Sequence, residues 1–284
     1  MPLSLVLGLG CALCWGFADF GGGLQARHLP ALAVVLWSQI AGSIVLGVAI
    51  LATEQSPPLD AVVWGAAAGA VGGVALLLFY RGLAVGLMSV VAPVSACGAA
   101  VPLVVALVRG EVPTPIESVG LLVAVAGVVL VSRPSGKRDL HPSVDRRTVL
   151  ALALGAALGF GLFFVLIDQG TAATEASPLW VIGGVRVGSL LTMAALTVAR
   201  PAALRWPGRR MGPVAAVGVL DTSASILLAF ATVHGNLGVV AVLASQYPIV
   251  TVTLARLFLS ERLSGFQAAG VAMALAGVGL LNFG

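Results

Sequence analysis

The chain has 284 residues, 59% of them apolar and only 9% charged, where soluble domains carry about 25% charged residues. With a mean hydropathy of +1.08, it has too little polar material to cover a soluble globule, so the composition points to an all-α, polytopic membrane protein. The net charge of +4 does not argue for nucleic acid, because the basic residues gather in a few short connections, where membrane orientation accounts for them.

A membrane crossing takes about 20 apolar residues. Ten segments meet that need, at roughly 3–23, 30–52, 61–80, 84–108, 116–132, 148–168, 178–199, 212–233, 237–259 and 265–283. Long unbroken apolar runs without alternation predict helices rather than a barrel. The first run lacks a positive leader and is longer than the apolar part of a usual signal peptide, so it reads as a span. Cys11, Cys14 and Cys97 read as small apolar residues rather than a redox or metal set. A tight helical hairpin is predicted at Tyr80-Arg81-Gly82. Pro30, Pro178 and Pro213 fall at segment starts, where a missing N–H costs least. Pro93 and Pro102 fall inside the fourth segment and Pro248 inside the ninth, where kinks are expected. Gly8, Ala12 and Gly16, Gly65 and Gly69, and Gly155 and Gly159 have the spacing of close helix contacts.

The chain contains its pattern twice. Val90-Val91-Ala92 recurs as Val239-Val240-Ala241 at an offset of 149. Glu111, Gly120, Ala126 and Gly127 recur as Glu261, Gly270, Ala276 and Gly277 at an offset of 150. Leu13-x-Trp15-Gly16 recurs as Leu158-x-Phe160-Gly161 at an offset of 145. The units are residues 1–134 and 148–284, joined by a basic connection over 135–147. Five spans per unit is an odd number, so the second unit inserts upside-down relative to the first. The paired Gly residues after each Glu are expected to make close helix contacts within each half. Interior Pro in corresponding segments points to the working part of a transporter.

Arg27, Arg81, Arg133, Lys137, Arg138, Arg146, Arg147, Arg200, Arg205, Arg209, Arg210 and Arg262 all fall on one side, against little beyond Arg109 on the other. The bias puts the central loop in the cytoplasm and both termini outside. The expected location is the cell inner (plasma) membrane.

With its doubled five-span unit, its Trp15-Gly16 and the Glu followed by a Gly-x6-Gly span in each unit, the chain resembles the drug/metabolite transporter superfamily, EamA type. The resemblance covers the whole chain. It implies a ten-helix carrier with a central cavity, usually exporting amino acids, other small metabolites or drugs. Pro102 stands 9 residues before Glu111 but Pro248 stands 13 before Glu261, a departure from strict symmetry.

An ionisable residue in mid-bilayer is a functional candidate by default. Arg186 lies about 12 Å into the seventh segment and Asp221 about 13–14 Å into the eighth from the opposite face, at 1.5 Å per residue. Their depths let a long Arg side chain bridge to the carboxylate. Either they form a structural ion pair, or they face a cavity as a carboxylate-binding cation and a proton- or amine-binding anion. Gln39 occupies the place of Arg186 in the first repeat. Gln246, Ser95 and Ser225 add polar atoms, and Trp15, Phe160, Trp37 and Tyr80 can line a cavity or face lipid. The substrate-binding candidates are Trp15, Gln39, Ser95, Phe160, Arg186, Asp221, Ser225 and Gln246. Asp19 and Asp168, late in their segments, are expected at the interface in contact with water; Asp19 is also, with Asp221, a proton-coupling candidate. Trp64 and Trp206 read as interfacial anchors. Glu111 and Glu261 read as structural carboxylates at helix starts, with Arg256 a possible partner of Glu261.

No nucleotide loop and no cluster with metal spacing stands out, and His28, His141 and His234 fall in or beside loops. No catalytic residue, metal or cofactor is expected. The leading expectation is a secondary-active exporter of small metabolites working by alternating access, as monomer or homodimer, with lipid bilayer and small solute as its partners. An importer of the same fold fits nearly as well. An integral membrane enzyme acting on lipid is the alternative from another class, and it lacks an acid/base cluster near either interface.

Overall fold

Apolar runs of this length satisfy their backbone groups internally by coiling, because lipid offers no hydrogen-bond partners. The computed structural model describes residues 2–52, 58–108, 110, 114–131, 145–172, 178–234, 244 and 246–281. The first repeat comprises α1 (Pro2–Ala26), α2 (Ala31–Leu51), α3 (Leu59–Val85), α4 (Met88–Ala96), a short 3-10 turn over Cys97–Ala99, α5 (Ala100–Val108) and α6 (Pro115–Val131). The second comprises α7 (Arg146–Ala172), α8 (Pro178–Ala199), α9 (Met211–His234), α10 (Tyr247–Phe258) and α11 (Gly265–Leu281). No strand occurs among the described residues. Among the described residues six helices are long and apolar enough to cross a membrane, and shorter apolar helices of 10–17 residues accompany them. Ile44, Val48, Leu122, Leu158 and Leu191 are exposed on the outside, as lipid-facing positions should be. Glu111, the 132–144 connection and the start of the ninth span lie outside the described residues.

The repeats interlock through reciprocal contacts. α1 packs on α9 as α7 packs on α3. Gly16 of α1 abuts Val250 and the Tyr247 carbonyl of α10, while Gly161 of α7 abuts Val101 and the Gly98 carbonyl of the fourth span. A Cβ at either glycine would collide with that backbone, so both positions need the smallest residue for helix approach. The starts of α6 and α11 are also twins. Thr114 and Glu117 exchange side chain–backbone hydrogen bonds at 2.6 and 3.3 Å, and Ser264 and Gln267 do so at 3.0 and 3.2 Å. Both are capping boxes.

Two expectations need correcting. The third helix does not turn at Tyr80-Arg81-Gly82; it runs to Val85 and turns at Gly86-Leu87, because nothing before Gly86 breaks it and Tyr80 and Gly82 bury while Arg81 faces out. The fourth span stays helical from Met88 to Val108 and tightens to a 3-10 turn at Cys97–Ala99. Pro93 and Pro102 cannot donate to the carbonyls four residues earlier, and the 3-10 turn falls between them. Pro248 stands in the first turn of α10, after a turn at Gln246. Cys97 and Gln246 differ by the repeat offset of 149, so the 3-10 turn and the turn before α10 fall at matching places in the two repeats. Finally, the Gly residues after each Glu do not pack within each half: Gly127 of α6 abuts Ala274 and Gly270 of α11, and Gly277 abuts Ala124 and Gly120 in return. The two copies of the stripe pack on each other, as self-complementary surfaces do about a two-fold axis.

Candidate functional site

α2 and α8, equivalent helices of the two repeats, cross each other and both pack on α9. Thr222 of α9 sits against Gly42 of α2, and Ser189 of α8 sits against Gly73 of α3. These contacts are twins under the repeat, and each glycine leaves room for a polar side chain between the helices.

Into this crossing α8 inserts Arg186, 5% exposed. Its Nη1 donates to Gln39 Oε1 of α2. Its Nη2 donates to Asp221 Oδ2 of α9 at 2.7 Å and to Thr222 Oγ1 at 3.0 Å. One guanidinium thus ties three helices from both repeats, and the repeat-related residues Gln39 and Arg186 bond each other. Its Nε has no hydrogen-bond partner among the described residues. A fork of N–H donors with one carboxylate and two neutral acceptors suits Arg better than Lys. Arg186 also lines one wall of a largely apolar cavity of about 540 Å³ between α2, α3 and α8, which Ser43, Leu46, Ile50, Val62 and Trp180 help to form.

Asp19 departs from its expected interfacial place. It is 8% exposed, because α1 continues to Ala26 and puts the carboxylate about 10 Å inside the helix end at 1.5 Å per residue. No hydrogen bond or ion pair reaches it among the described residues, and it lies within electrostatic range of Asp221, Tyr80 and Tyr247. Trp15, one turn earlier on α1, meets Tyr247 edge-on with centroids 6.0 Å apart. The Tyr80 ring lies on Gly22, one turn later. Asp168, by contrast, is exposed as expected.

The other candidates do not converge here. Ser225 Oγ bonds back to the Asp221 carbonyl of its own helix at 3.0 Å. Ser95 Oγ donates to the Ala153 carbonyl of α7 at 3.3 Å, a buried tie between the repeats. Phe160 packs edge-on against Phe79 at 5.6 Å in the main core. Gln246 extends its amide toward Gly279 of α11. Trp37 meets Trp206 edge-on at 4.7 Å and donates to the Arg205 carbonyl at 3.3 Å, while Trp64 is exposed.

Sequence reasoning missed Thr222 as a partner of Arg186; its one signal was a hydroxyl beside Asp221. It also did not foresee what Glu261 holds. That carboxylate accepts the backbone N–H groups of Met88 and Ser89 at 3.0 and 2.9 Å, capping α4, and pairs with Arg27 at 3.6 Å. The described ion pair of Glu261 is with Arg27 rather than Arg256. Ser260, with a left-handed φ of 53°, follows the end of α10 and leads the chain into Glu261.

No curated protein matches the chain. One solved structure, described only as a crystal structure of a protein, is 17% identical, with 98% of this chain and 95% of that one covered and a TM-score of 0.64; the likeness carries the fold alone. The family model for the EamA-like transporter family matches residues 2–133 and 147–283. Both repeats are therefore spanned by the model, the family moves small solutes across membranes, and the chain belongs to the EamA-like transporter family.

Proposed function

We propose that the protein is a secondary-active carrier that exports a small amphipathic metabolite by rocking its two repeats about the Arg186 cluster. The observation carrying this reading is the buried network of Arg186, Gln39, Asp221 and Thr222, which joins α2, α8 and α9 across the repeats. Each ionised group left facing lipid would cost about 2.5–3.5 kcal/mol on insertion scales, and neutral residues would pack the same crossing at lower cost. Mid-membrane charge between inverted repeats is where carriers bind solute and coupling ion. The 3-10 turn at Cys97–Ala99 and the turn at Gln246 give each repeat, at matching positions, a place to flex. Arg186 serves as the anion-binding group, and Asp221 and Asp19 serve as the cation- or proton-binding groups. The basic connection, 135–147, faces the cytoplasm between units 1–134 and 148–284, with the chain in the cell inner membrane.

The test is flux in proteoliposomes over a panel of amino acids, nucleosides and cationic dyes, using wild type and the double variant Arg186→Met/Asp221→Leu. Removing both charges of a buried pair can be neutral for folding. The double variant is expected to stay monodisperse and to lose transport. Retained transport would assign the pair to packing and overturn its role here.

A further inference from the structure

The interior holds more negative than positive charge. Asp19 lies within electrostatic range of Asp221, and Arg186 is the single cation among the buried described residues. Asp221 takes that guanidinium at 2.7 Å, which leaves Asp19 uncompensated. The rest of the basic residues cannot make up the difference: Arg81 and Arg256 are exposed on their helices, and the 235–245 stretch contains no Lys or Arg. A carboxylate 8% exposed with no hydrogen bond among the described residues is expensive to keep ionised unless a cation or a proton joins it.

The surroundings specify which cation fits. Helical side chains lean toward the N-terminus of their helix, so the Asp19 carboxylate leans over the turn carrying Trp15. Trp15 and Tyr247 form an edge-on pair, each half-buried and so not sealed by packing. Tyr80 closes the other side across Gly22, and neither tyrosine hydroxyl has a hydrogen-bond partner among the described residues. A small hydrated metal ion needs several oxygen ligands, and no group of three or more His, Cys, Asp or Glu side chains occurs among the described residues. One carboxylate amid aromatic faces instead suits an organic ammonium, whose diffuse charge is attracted by ring quadrupoles.

We infer that Asp19, with the rings of Trp15, Tyr80 and Tyr247, is the recognition site for an organic ammonium group. This deepens the carrier reading and rests on it for the direction and purpose of binding, though not for the site itself. The mirrored position on α7, at the offset of 145, is Phe164, so one such site exists per chain. The ammonium binds Asp19 while Arg186 keeps its contacts to Asp221 and Gln39.

The experiment measures equilibrium binding to the full-length protein in detergent with three probes of one shape: phenethylammonium, neutral 2-phenylethanol and anionic 3-phenylpropionate. Saturable binding is expected for the ammonium alone. Asp19→Asn should weaken it on the order of 100-fold, and Trp15→Leu about 30-fold. Asp168→Asn, at an exposed carboxylate, should leave it unchanged. If Asp19→Asn does not stay monodisperse, the Trp15→Leu and Tyr247→Leu variants decide, and wild-type affinity in both would overturn the site. Preference for phenylpropionate, or indifference to Asp19→Asn, would also overturn it. Proteoliposome flux separates the two readings. Flux that ignores Asp19→Asn and needs no ammonium leaves the carrier standing and removes this site, whereas phenethylammonium binding without flux of any solute keeps the site and removes the carrier.

Discussion

Glu261 and Asp19 are carboxylates of equal exposure, each 8%, in two regions built to opposite ends. Around Glu261, between the end of α10 and the start of α4, donors surround the carboxylate. Two backbone N–H groups at a helix N-terminus and the Arg27 guanidinium converge on it, and the helix dipole favours its charge. Around Asp19 the neighbours are aromatic rings and a second carboxylate, and nothing donates to it among the described residues. Burial alone therefore does not separate a structural acid from a working one. Satisfaction does: a compensated buried charge holds helices together, while an uncompensated one costs stability that packing alone would not demand. Asp221 stands between the two, held by Arg186 yet still 23% exposed in its side chain.

The largest effect is expected where satisfaction is greatest. Glu261→Ala orphans two N–H groups and Arg27, and should lower stability by about 3–5 kcal/mol. Thermal unfolding in detergent checks this, with activity per folded molecule retained. If the variant unfolds like wild type, the contrast drawn between the two acids fails. Asp19→Asn should move the other way. Removing an uncompensated charge is expected to raise stability by roughly 1 kcal/mol or leave it unchanged, while solute binding is lost. A fall of several kcal/mol in the same unfolding assay would make Asp19 a second structural acid. The smallest change is expected from Arg27→Met. Its side chain is 30% exposed and its contact is 3.6 Å, so solvent screening leaves about 0.5 kcal/mol. A loss as large as that of Glu261→Ala would show that the ion pair, rather than the cap on α4, is what Glu261 supplies.

The sequence determined the solvent, the helices and the doubling. Its shortage of charge named lipid, runs of about 20 apolar residues placed the spans, and matches at offsets of 145–150 announced the repeat. It also singled out Arg186, Asp221 and Gln39, because polar groups at depth in an apolar segment stand out one helix at a time. Tertiary structure decided what those helices meet. The Gly120, Gly127, Gly270 and Gly277 stripes look the same whether they pack within a half or between halves, and only the crossing of α6 and α11 chose the latter. Asp19 looked interfacial because span ends read from hydropathy blur where a helix continues past its apolar run; α1 continues to Ala26 and carries the carboxylate inward. Ser95, Phe160, Ser225 and Gln246 lie in corresponding or nearby segments, yet each turns to its own helix or to another neighbour. Periodicity gives a side chain's direction about its own axis. Which groups converge is set by pairing between residues some 150 positions apart, through close-packed contacts that no local window contains.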